Sequence, residues 1–135
     1  MRSISFLVVV LALLRLTTGC NSASAGFCEK TFDCDPDVDE DAPQTRSDIE
    51  QCIDTQTVFL DELRGYGEAD CTALADAFEA KAGCFATLED CNEFNEPNNG
   101  TCVDETETLR AACDAVVDDS CARTAVASCG VGDEA

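Results

Sequence analysis

The sequence predicts an all-α fold, a small disulfide-stapled helical bundle behind an N-terminal signal peptide. Three observations carry that expectation: eleven cysteines and no histidine in 135 residues, a short apolar start, and apolar residues recurring at helical spacing. The start comes first. Arg2 supplies a positive charge, and residues 4–14 are an uncharged apolar run of about 11 residues. A membrane-spanning helix needs about 20, so the run has the length of a signal-peptide core. Export implies an oxidising compartment, where cysteines pair.

Beyond the leader, residues 20–46 read as a tether followed by an acidic, proline-bearing loop without a core-forming pattern. A helical cysteine-rich domain follows over residues 47–130, and residues 131–135 form a C-terminal tail. Ser47 and Glu50 make a capping box, and Ile49, Cys52, Ile53, Leu60 and Leu63 continue as one stripe up to Gly65 and Gly67. Asp70 caps a second helix with Cys71, Leu74, Phe78 and Ala82 on one face. Gly83 is expected to interrupt it before a shorter piece through Phe85, Leu88 and Cys91. Residues 96–100 are a loop, residues 101–118 carry the stripe Cys102, Leu109, Cys113 and Val116, and residues 120–128 form a last helical piece. Alanine and acidic residues with few β-branched neighbours favour helix throughout.

Ten cysteines lie past the leader: Cys28, Cys34, Cys52, Cys71, Cys84, Cys91, Cys102, Cys113, Cys121 and Cys129. An even set predicts about five disulfides, with connectivity open. Cys102 and Cys113 are about 16 Å apart along one helix, beyond the ~7 Å that a disulfide allows, so each must reach a different element. The same reasoning forbids Cys84–Cys91 and Cys113–Cys121 where those stretches stay helical. Cys52–Cys84 is the expected link across a hairpin, and Cys28–Cys34 the expected local closure.

Charge narrows the partners. The leader holds two of the eight basic residues and no acid, so six basic residues face 28 acidic ones, a balance of −22. Phosphate backbones are repelled, which excludes nucleic acid. An unidentified protein or a cationic surface is the expected partner, with membrane contact only through a lipid anchor.

Catalytic chemistry is not expected, and no catalytic residue, metal ligand or cofactor is assigned. Without histidine there is no Ser-His or Cys-His pair and no imidazole ligand, which also rules out the secreted phospholipases. No Cys-x-x-Cys is present, so thioredoxin-like pairs and zinc knuckles fail. Adjacent cysteines and Cys-x-Cys are missing too, unlike the helical plant lipid-transfer proteins. Asp33, Asp35, Asp37, Asp39 and Asp41 alternate as in a calcium loop, but the register that puts Asp48 at position twelve puts Ala42 where glycine is needed. Asn99-Gly100 reads as a turn, and Phe59, Phe78 and Phe85 read as core.

Leu16-Thr17-Thr18-Gly19-Cys20 resembles the lipobox of bacterial lipoproteins. That resemblance implies a signal peptide of residues 1–19, acylation of Cys20 as the first mature residue and, with Asn21 following, sorting to the outer membrane. A cut after Ala25, at Ala23-Ser24-Ala25, is the alternative and implies free secretion. Cutting before Cys20 without acylation would leave an odd thiol. The whole chain resembles the small cysteine-rich helical lipoproteins of delta-type (myxobacteria-like) bacteria, of unknown function. The expected role is an exported, lipid-anchored structural or protein-binding module of the cell envelope. The alternative is a secreted acidic module that depends on calcium.

Overall fold

A computed structural model describes residues 22–38, 42–98 and 100–129. Six helices follow one another: α1 (Ala23–Asp33), α2 (Pro43–Gly65), α3 (Ala69–Ala86), α4 (Cys91–Asn95), α5 (Val103–Ala115) and α6 (Ala122–Cys129). No strand occurs among the described residues, so the fold is all-α. The leader, Cys20 and the 131–135 tail lie outside the described residues.

Helix α3 is the hub, packing against α1, α2 and α5, while α6 lies across α2 and α5. Its inner face is Cys71, Leu74, Ala75 and Ala77, with Phe78 packed against it. Leu60 and Leu63 of α2, Leu109, Ala112 and Cys113 of α5, and Val116, Cys121 and Ala125 complete the core. These are leucines and small residues. Burying a leucine side chain contributes about 1.5–3 kcal/mol, so such a core is modest.

The first part of the expected tether-and-loop segment needs correction. Residues 23–33 are a helix, not a tether, and they belong to the core. Ser22 caps α1 by accepting a hydrogen bond from the Ala25 amide at 3.1 Å, and Ser24, Ala25 and Cys28 are buried. Small residues let α1 approach α3 closely. A Cβ on Gly26 would lie 3.1 Å from the Ala86 Cβ, and one on Gly83 would lie 3.4 Å from the Ala23 Cβ. Gly83 does not interrupt α3, which continues to Ala86, and only the Gly26 spacing is tighter than ordinary contact.

Other boundaries shift by a turn or less. Helix α2 starts at Pro43, which suits the first helical position because its missing N–H is unpaired there anyway. Ser47 is thus inside the helix instead of capping it. The residue before α3 is Glu68, not Asp70, and its carboxylate does not cap the helix. Cys102 precedes α5 in the left-handed region, at φ 49°. That conformation costs a non-glycine residue about 1–2 kcal/mol.

All ten cysteines are paired: Cys28–Cys52, Cys34–Cys91, Cys71–Cys121, Cys84–Cys102 and Cys113–Cys129. Cys102 and Cys113 bond to different elements, as the helix rise requires, and neither Cys84–Cys91 nor Cys113–Cys121 forms. The expected Cys28–Cys34 and Cys52–Cys84 pairs are wrong for one reason. With α1 helical, Cys28 and Cys34 are ~9 Å apart along its axis, too far to bond. Helix α1 then delivers Cys28 to Cys52, leaving Cys84 for Cys102 and Cys34 for Cys91.

Polar contacts support the same joints. Arg64 of α2 donates to Asp76 at 2.8 Å and to Glu79 at 2.7 Å on α3. Asn95 of α4 donates to the Cys34 carbonyl at 3.0 Å, beside the Cys34–Cys91 bond. Five disulfides indicate an oxidising environment, and among the described residues no helix is long and apolar enough to cross a membrane.

Loop entropy ranks the bonds. Cys34–Cys91 spans 57 residues and Cys113–Cys129 spans 16. On chain-entropy arithmetic the first contributes about 4 kcal/mol and the second about 3. Replacing both partners by serine is therefore expected to cost about 1 kcal/mol more at Cys34/Cys91 than at Cys113/Cys129. Urea titrations of the two double variants measure it, and equal losses would contradict the ranking.

Candidate binding cavity

A cavity of about 550 Å³ opens where α1, α2 and α3 meet. Helix α1 contributes Ser24 and Phe27, α2 contributes Thr55, Gln56, Phe59 and Leu60, and α3 contributes Phe78, Glu79, Lys81, Ala82 and Phe85. Leu109 of α5 and Ser128 of α6 complete the wall. Its size falls within the ~300–1,000 Å³ usual for small-molecule sites.

Two aromatic groups shape it. Phe59 and Phe78 meet edge to face with ring centres 5.2 Å apart. Phe27 and Phe85 meet edge to face at 6.5 Å, and Phe94 of α4 backs both, at 5.7 and 6.0 Å. Phe59 and Phe78 pack against the core as expected, while all three of Phe59, Phe78 and Phe85 are half-buried and also line the cavity. Their helical spacing marked them as inward-facing, but spacing alone does not tell a filled interior from an open one.

Three polar groups belong to the wall chemistry. Glu79 is taken by Arg64. Lys81 lies with its Nζ 6.0 Å from the centre of the Phe85 ring, at cation–π range. Ser24 is 1% exposed, and its hydroxyl has no hydrogen-bond partner among the described residues. An unpaired buried hydroxyl costs about 1–3 kcal/mol, which is unusual enough to require a reason. Sequence reasoning missed Ser24 because Ala23-Ser24-Ala25 reads as a processing site.

No metal centre emerges among the described residues. Glu68, Asp119 and the Cys71 sulfur cluster together, as do Glu105 and the sulfurs of Cys84 and Cys102. Every one of those sulfurs is in a disulfide and cannot serve as a thiolate. Asp33, Asp35 and Asp37 are exposed and converge on nothing, while Asp39 and Asp41 lie outside the described residues.

Glu68 and Asp119 titrate in opposite directions. Ser120 donates its hydroxyl to Glu68 Oε1 at 2.5 Å and its amide to Oε2 at 3.0 Å, and these bonds hold the Glu68 carboxyl below its ordinary 4.5. Desolvation first, then the charges of Glu68, Asp70 and Asp118, push Asp119 above its ordinary 3.8. Neither residue lines the cavity. Glu68 acts structurally, tying the start of α3 to the segment before α6 next to the Cys71–Cys121 bond.

The signs of the pH effects follow. Glu68 stabilises the fold above 4.5, and that contribution is lost as pH falls through its lowered folded value. Asp119 acts oppositely, favouring the fold below 3.8 and losing that effect as pH rises through its raised folded value. In Ser120→Ala the Glu68 midpoint is expected to climb back toward 4.5, and in Glu68→Gln the Asp119 midpoint is expected to fall. Carboxyl-carbon NMR titration of both residues reads these shifts directly; an unmoved Glu68 in Ser120→Ala would remove the assigned cause.

The chain matches no protein-family model, no curated protein and no solved structure, so the geometry above stands without a relative to interpret it.

Proposed function

We propose that the protein is exported, is anchored to the cell envelope by a lipid on Cys20, and works there as a binding module. The observation that carries the anchored form is the first turn of α1. A cut after Ala25 would remove the Ser22 cap and the buried Ser24 and Ala25, leaving α1 to start inside its own packing against α3. A cut before Cys20 keeps all three. Cysteine arithmetic agrees, since five bonds consume ten of the eleven cysteines and leave Cys20 for acylation.

Binding, not catalysis, is the role supported by the surface and the cavity. Val117 and Val126 are 65% and 51% exposed and border a shallow depression with Val116, Ala122 and Ala125. Exposed carboxylates at Asp114 and Asp118 flank it in sequence. An apolar patch with acidic neighbours suits a protein partner that carries positive charge around an apolar contact.

Intact mass measurement on the native protein tests the anchor. The expected mass is that of a chain starting at Cys20, increased by its acyl groups and reduced by ten hydrogens for five disulfides. A chain starting at Gly26, or an unmodified Cys20, would overturn it. A second consequence concerns stability. An oxidised chain beginning at Gly26 is expected to melt below one beginning at Cys20, because loss of the helix cap alone costs about 1 kcal/mol, or about 4–8 °C for a domain of this size. Equal melting temperatures would remove the structural support for the upstream cut.

A further inference from the structure

We propose that the cavity between α1, α2 and α3 binds a single-chain amphiphile, with an acyl chain among the phenylalanines and a carboxylate at Lys81. The proposal deepens the binding-module reading and does not depend on acylation of Cys20.

The distribution of aromatic residues is the first reason. Six phenylalanines lie outside the leader, and four of them, Phe27, Phe59, Phe78 and Phe85, wall this cavity. The fully buried core is built from leucine, alanine, valine and cystine, with Phe59 and Phe78 packed at its edge. A chain so short of aromatic surface has placed most of it around empty volume, where the rings lose contacts on one side until an apolar ligand supplies them.

Charge complementarity sets the head group. With 28 acidic and eight basic residues, any lysine has many carboxylates available. Yet among the described residues Lys81 has no ion pair, and its one recorded contact is the face of Phe85. The nearby Glu79 is already held by Arg64 at 2.7 Å. Lys81 is therefore a free cation in an apolar wall, where a charge interacts more strongly than at an open surface. The domain's overall negative field opposes an anion at long range, but ions screen it beyond about 8 Å at physiological salt.

Calorimetric titration of the oxidised mature chain carrying Cys20→Ser, so that no acyl chain is attached, tests this with palmitate below its aggregation concentration. Hexadecanol, hexadecyltrimethylammonium and a zwitterionic lysophospholipid are run alongside. Saturable one-to-one binding is expected, tightest for palmitate, weaker for the alcohol and weakest for the cation. Stronger binding of the lysophospholipid than of palmitate would transfer the site from a free acid to a membrane-lipid chain and overturn the carboxylate assignment. Lys81→Met is expected to weaken palmitate about tenfold or more while leaving hexadecanol within about twofold, the pattern of one lost ion pair in a partly buried site. Ala82→Trp should abolish binding of both by filling the cavity. Should that variant fail to fold, Phe59→Ala and ring-proton NMR shifts of the wall phenylalanines on titration take its place. Failure of palmitate to saturate, equal binding of the cation, or palmitate binding unchanged in Lys81→Met would sink the proposal, and each leaves the mass test of the anchor untouched.

Discussion

Covalent links between helices are the constraint on which the rest of this structure depends. The chain has a formal charge of −20, and the ion pairs of Arg64 with Asp76 and Glu79 offset little of that excess of carboxylates. Its core is leucine and small residues. Hydrophobic burial on that scale is a weak opponent of charge repulsion and chain entropy. Each of the six helices has a disulfide cysteine within it or at its end, and α1, α3, α5 and α6 have two each. The sulfurs limit the entropy of the unfolded chain, and a light core suffices.

That constraint also explains what could be read from the residues alone and what could not. Apolar spacing at Leu60 and Leu63, at Cys71 and Leu74, and at Leu109 and Cys113 placed the inward faces correctly, because burial acts at each position locally. The even count of cysteines past the leader implied full pairing. Partners were another matter, since pairing depends on which helices are neighbours. The decisive neighbour, α1, has no apolar stripe to announce it; its contact face is Ala23, Ser24, Ala25 and Cys28 with Gly26 beside Ala86. Close backbone approach by small residues leaves almost no trace in hydropathy. Once α1 is missed, both guessed bonds that involve its surroundings fail together.

The cavity shows a similar limit. Phe59, Phe78 and Phe85 were identified as inward-facing, but a sequence pattern carries no information on whether the space they face is filled. The same pair of helices supplies both outcomes. Gly26 brings α1 and α3 close, while Phe27 and Phe85, adjacent in sequence to Gly26 and Ala86, stand along the cavity wall. Cystine takes over stabilisation that aromatic packing often provides, and the rings are left to form a concave surface.

The order of the bonds along the chain has a consequence for biogenesis. No two cysteines that follow one another in sequence are partners; Cys34 lies between Cys28 and Cys52, and Cys91 lies between Cys84 and Cys102. A polypeptide threaded across a membrane from its N-terminus and oxidised as it emerges would join neighbouring thiols first, and here every such junction is wrong. Bonds made in that order reach the native set only by thiol–disulfide exchange, over seconds to hours without a shuffling enzyme. Oxidation that waits until the helices have met avoids those detours, because each sulfur then faces its own partner.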